Sequence, residues 1–174
     1  MGTQTAPPIV LAIAYWLHML ATVVWIGGLA ALAVIFLPAA RRLLAPADYS
    51  NLLAKIQRRL QMVGWFSLAV LVVTGLFQMS SHPAYQGFLT IDSMWAVAIL
   101  IKHLVIGLMV LISAYLTWGI LPAMQRMALI RASGRQVDES ATRRLELRES
   151  RILTGNLVLS IVVLLLTALA RASG

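Results

Sequence analysis

MWAVAILIKHLVIGLMVLISAYLTWGIL, from Met94 to Leu121, is the stretch that decides the fold. It contains one lysine, one histidine and no carboxylate. It exceeds the roughly 20 apolar residues that a helix needs to cross the hydrocarbon core. A segment in lipid must satisfy its backbone internally, so the run predicts a transmembrane helix. Pro122 predicts an end or kink, with a continuation as far as Arg131 before the Ser133–Gly134 break.

Three further runs have the same character, which gives spans at about 9–40, 62–79, 94–121 and 152–170. The first begins after Met1 to Pro8, a start without charged side chains. A secretory signal begins with positive charge and has a shorter apolar core, so this run reads as an uncleaved span. Pro7 and Pro8 suit a first helical turn, and Pro38 marks its far end. Before the second run, residues 48–60 have helical spacing, with Asp48 as a candidate N-cap. Before the fourth, Glu146 and Glu149 alternate with Arg143, Arg144 and Arg148 and read as a solvated helical face.

The composition agrees. Of the 174 residues, 60% are hydrophobic and 11% charged, where a soluble domain carries about 25% charged residues. The formal net charge of +8 does not indicate nucleic acid. Arg41, Arg42, Lys55, Arg58 and Arg59 fall in the first connection. Arg126, Arg131, Arg135, Arg143, Arg144, Arg148 and Arg151 fall in the third, and the second, 80–93, has no lysine or arginine. Positive loops stay inside. The basic loops are therefore expected in the cytoplasm and both termini outside, in a cell membrane such as the bacterial inner membrane. The fold class is all-α, an integral membrane four-helix bundle forming one domain over 1–174. No repeat or linker is read from the chain. The absence of cysteine excludes disulfides and thiolate chemistry.

Ionisable residues at membrane depth are costly and mark functional sites by default. Here they are His18, Lys102 and His103. Each lies nine or ten residues from the outer end of its helix, about 15 Å deep at 1.5 Å per residue. Ala14, His18, Ala21, Trp25 and Gly28 share one stripe, and Ala96, His103, Gly107 and Ala114 share another. Small residues permit close helix approach, so both stripes are expected to face inward. Lys102 lies about 100° from His103, nearer to Trp95, Met109 and Ser113. Polar positions on the other helices are Ser67, Thr74 and Gln78, and Asn156, Ser160 and Thr167.

Two imidazoles at one depth suit heme iron or another redox metal. Helical bundles commonly build such sites in their cores. Lys102 could pair with a propionate or an anionic substrate, and Trp25 with a cofactor ring. The plainer alternative is that each histidine only bonds a neighbouring hydroxyl or carbonyl, and that Lys102 snorkels. No carboxylate lies inside the apolar runs, and Asp92 is at the outer edge. This argues against carboxylate acid/base chemistry and leaves catalytic residues unknown. At the outer surface, Met79, His82 and Met94 form a second set. Thioether and imidazole suit Cu(I); ordinary packing methionines and a loop histidine are the alternative.

Tyr15-Trp-Leu-His18-Met-Leu-Ala-Thr-Val-Val-Trp25-Ile-Gly27-Gly28 resembles the opening helix of the CopD-like membrane domain and of the related HemJ family. Phe66-Ser67 with Thr74-Gly75-Leu76 resembles the second helix of CopD domains, and Ile101-Lys102-His103-Leu104 the third-helix position where both families carry lysine. The resemblance covers about three of the four helices. It implies copper uptake or resistance on the CopD side. On the HemJ side it implies heme b and protoporphyrinogen oxidation, with His18 and Lys102 as the family's histidine and lysine. The arginine motif that follows the first helix in HemJ is matched only in part by 36–41, and His103 carries over from neither family.

Three functions are therefore expected: a copper-handling CopD-like membrane protein, a heme b redox protein, or a non-catalytic subunit of a membrane complex. The bilayer is the certain partner, self-association or a larger complex an open one, and nucleic acid is excluded.

Overall fold

The computed structural model describes residues 7–44, 46–82, 87, 91 and 93–172, without the side chains of 46–48, 50, 51, 53, 54 and 57. Four long helices account for nearly all of them: α1, Pro8–Leu43; α2, Pro46–Ser80; α3, Met94–Ala132; and α4, Glu139–Ala172. All four have a stretch long and apolar enough to cross a membrane. Large apolar side chains stand on the outside of the bundle, Val23 at 68% exposure, Val73 at 69% and Leu111 at 68%. Such a surface is expected of a protein whose solvent is lipid.

α1 packs on α2, and α3 on α4. The α1–α2 seam is made of small residues. Ala14 and Ala21 are buried, and a Cβ added to Gly28 would reach Leu60 at 3.8 Å. The α3–α4 seam sets large against small: Met109 on α3 is 1% exposed, as are Ser160 on α4 and, at 2%, Asn156. With no hydrophobic drive between helices in lipid, close packing and interhelical hydrogen bonds hold such seams. Gln78 Nε2 donates to Ala14 O at 3.0 Å across the first, and Asn156 Nδ2 to Ser113 Oγ at 2.9 Å across the second.

Pro38 does not end α1. A π-helical segment, Ala31–Phe36, precedes it, and the helix resumes over Leu37–Leu43. Leu37 N–H bonds Leu32 O, five residues back. Proline lacks the donor and crowds the preceding turn; one widened turn absorbs both defects without breaking the helix. Pro122 is handled identically. The π segment Leu116–Ile120 precedes it, Leu121 N–H bonds Leu116 O, and the helix runs on to Ala132. The N-cap expected at Asp48 is also displaced: α2 starts at Pro46, whose fixed φ suits a first position, and Asp48 falls within the first turn. Its side chain, and Asp92, lie outside the described residues.

The paired π segments correct the reading that the chain has no repeat. Leu37-Pro38-Ala39 and Leu121-Pro122-Ala123 end equivalent π turns. Ser67-Leu-Ala-Val-Leu-Val-Val-Thr74-Gly75-Leu76 on α2 matches Ser160-Ile-Val-Val-Leu-Leu-Leu-Thr167-Ala168-Leu169 on α4. Ser67 and Ser160 are both buried, and Thr74 and Thr167 each donate to the carbonyl four residues back, Val70 O and Val163 O. The halves thus repeat one plan, a bent helix followed by a long straight one. Both start at the same end of the bundle, and aligning the Leu-Pro-Ala turns sets Lys102 opposite His18. The likeness escaped the sequence reading because it lies in scattered positions among interchangeable apolar residues.

At the opposite end of the bundle from both termini, Tyr49 is buried beside Arg41, whose Nε donates to Tyr49 Oη at 3.1 Å and whose Nη2 donates to Glu146 O at 3.2 Å. Burial pushes the Tyr49 hydroxyl above its ordinary range. Glu149 is 0% exposed, which overturns its place on a solvated face. It begins the inner stripe of α4, which continues through Leu153, Asn156, Ser160 and Val163 at three- and four-residue steps.

Candidate metal and cofactor site

The intramembrane candidates come from two helices, His18 from α1 and Lys102 and His103 from α3. His18 is half-buried on α1 against α2. Its Nδ1 lies 2.8 Å from Thr74 Oγ1. Thr74 spends its only hydroxyl hydrogen on Val70 O at 2.6 Å, so toward His18 its oxygen must accept. Nδ1 therefore carries the proton and Nε2 the lone pair of the neutral ring. Gly75 makes room for this ring: a Cβ there would stand 3.3 Å from His18 Cε1.

His103, on α3, bonds Ile99 O through Nδ1 at 2.7 Å. A carbonyl can only accept, so here too Nδ1 is protonated and the lone pair is on Nε2. A second hydrogen bond that fixes the tautomer is the usual support of a metal-binding imidazole. His18 lies within electrostatic reach of both Lys102 and His103.

The inward stripe of α3 agrees only in part with the expected one. Ala96 is buried and His103 and Ala114 are half-buried, but Gly107 is exposed, and the buried positions Trp95, Ala98 and Met109 run along the face of Lys102. Lys102 is therefore on the interior stripe, half-buried, and makes no hydrogen bond or ion pair among the described residues. His103 sits at the edge of that stripe. Trp25 is two turns beyond His18 and lines a separate cavity with Gly28, Gly64 and Ser113.

At the end of the bundle where α2 meets α3, the His82 ring stacks on Trp95 with centroids 4.3 Å apart and planes 10° from parallel. Met79 is buried in the same cluster with Trp95, Ala96, Ala98 and Ala170. Met79 and His82 are thus brought together, one helical turn apart. Met94 is 73% exposed and outside that cluster. Trp95 was not singled out, because a contact between two helices leaves no local pattern. Among the described residues no three histidine or carboxylate side chains gather as a metal site.

Residues 54–170 match the family described as Copper resistance protein D, CopD. The chain belongs to this family, as a multi-pass membrane protein. The match takes in α2, α3 and α4 and leaves α1, with His18, outside it. No curated protein and no solved structure matches the chain.

Proposed function

We propose that this CopD-family protein handles copper for transport or homeostasis, and that Cu(I) is first held where α2 meets α3. The observation that carries this reading is the convergence of Met79 and His82 on Trp95. A thioether and an imidazole are soft and borderline ligands that suit Cu(I), and the stack on Trp95 fixes the orientation of the His82 ring. The positive-inside rule supports placing this end on the outer face of the inner membrane, with both termini, and the basic connections in the cytoplasm. His18 and His103, each with its lone pair on Nε2, would form a second station deeper in the bundle.

Purified protein titrated with Cu(I) against a chelator tests this. Stoichiometric binding is expected, weakened about tenfold or more by Met79→Leu or His82→Ala, on the usual scale for lost ligands or their supports. Unchanged affinity in both variants would remove the reading.

A second reading is favoured by Lys102. An ammonium on the interior stripe repels a bare cation but suits an anionic group. His18, His103 and Lys102 together fit heme b, with imidazole on iron and the amine on a propionate. Bound there, heme would supply one-electron redox chemistry. A Soret band in the purified protein, lost in His18→Ala, would establish this reading. Protein with neither copper nor heme would point to a subunit of a larger membrane complex.

A further inference from the structure

The cavity beyond His18 serves neither reading. It measures about 120 Å³ and lies where α1, α2 and α3 meet. An engineered apolar cavity of about 150 Å³ accepts benzene; this one is somewhat smaller but open at its rim, so it is on the scale of one six-membered ring and far short of a porphyrin. Trp25 and Trp65 form aromatic walls, and Trp65 is itself stacked on Trp118 with centroids 5.4 Å apart. Gly28 and Gly64 also line it; a Cβ at Gly64 would stand in ordinary contact with the Trp25 ring, at 3.7 Å. Val24 and Val63, exposed by 39% and 47%, stand at its rim, so the way in is from the lipid.

The polar groups of this cavity are unusual. Ser113 and Thr117, four residues apart on α3, line it, with Gln61 of α2 as the other polar side chain apart from the tryptophans. Ser113 Oγ accepts from Asn156, but among the described residues neither hydroxyl donates. By contrast Thr22, Thr74 and Thr167 all donate to the carbonyl one turn back. Donors left unspent against apolar walls at membrane depth are costly unless a ligand brings acceptors. The ligand must then be lipid-soluble, one ring wide, and able to accept hydrogen bonds.

We propose that this cavity binds the head of a lipid-soluble quinone, its ring between Trp25 and Trp65 and its carbonyl oxygens accepting from Ser113 and Thr117.

The test uses the full chain in lipid nanodiscs, titrated with a short-tailed benzoquinone while tryptophan fluorescence is read. Saturable quenching is expected. Gly64→Leu fills the cavity and should abolish it. Ser113→Ala with Thr117→Val removes the two hydroxyl donors at little change in volume, leaves Gln61 in place, and should weaken binding about tenfold, the scale of a lost buried hydrogen bond. Helical content and Cu(I) binding should be unchanged in both variants, which separates failure here from failure of the copper reading. Quenching by the quinone that does not saturate, or that is equal in Gly64→Leu, overturns the proposal. So does equal affinity for a hydrocarbon ring with the same tail, which would mean an apolar slot that takes acyl chains.

Discussion

His18 shows what a single side chain owes to its neighbours. Position along the chain puts an imidazole in lipid, but more than fifty residues away Thr74 decides which nitrogen carries the lone pair and Gly75 leaves room for the ring. Thr74→Val keeps the volume and deletes the acceptor for Nδ1–H. Any metal or heme bound through His18 should then weaken about 10- to 100-fold, while helical content stays unchanged in circular dichroism. Gly75→Ala acts on the same ring by contact, since its Cβ would crowd Cε1 at 3.3 Å; binding should fall there with Thr74 intact. If neither variant alters binding, His18 is not a ligand. The depth of His18 was legible because an ionisable residue in an apolar run is conspicuous. Its partner was not, because threonine in a transmembrane helix is common and usually bonds its own helix. Glu149 was misread for a related reason: among arginines it looks solvated, and only the course of α4 turns it inward.

Among the helices, α4 has the plainest start signal. Asp138 Oδ1 accepts from Ser140 N at 2.9 Å and from Ala141 N at 3.2 Å; the Ser140 side chain, together with these backbone bonds, holds the carboxyl below its usual range. Its stabilising effect is thus complete above the unfolded carboxylate range and disappears as pH falls through the lower folded value. Asp138→Ala should fray the first turn of α4 at neutral pH, seen as faster amide exchange at Ser140 and Ala141. The wild-type protein should show the same fraying only in strong acid. A variant with unchanged exchange would show that the cap contributes nothing. The prolines were legible as interruptions but not as bends within continuous helices. Proline disfavours the ordinary turn, and the packing on either side decides whether the chain stops or widens. Here Leu37 and Leu121, buried just after the π turns, reward continuation.

For the molecule as a whole, four spans were legible because length and apolarity are demanded by the bilayer itself. Pairing was not: which face of α3 meets α4 depends on how bulk is shared between them, and composition does not say. The topology can be checked directly, since the chain has no cysteine of its own. A cysteine at Gly134 should react with an impermeant thiol reagent only from the cytoplasmic side, and one at Ser80 only from the outer side; the reverse pattern would invert the assignment. The two halves add a constraint. Because both hairpins enter the bundle from the same end, each bears its arginines past its own Leu-Pro-Ala turn and carries a complete insertion signal. Two such hairpins made as separate peptides would thread the membrane in the same sense and could assemble as a pair. A chain of two such hairpins needs only a link between neighbouring ends, with no change in the charge of either.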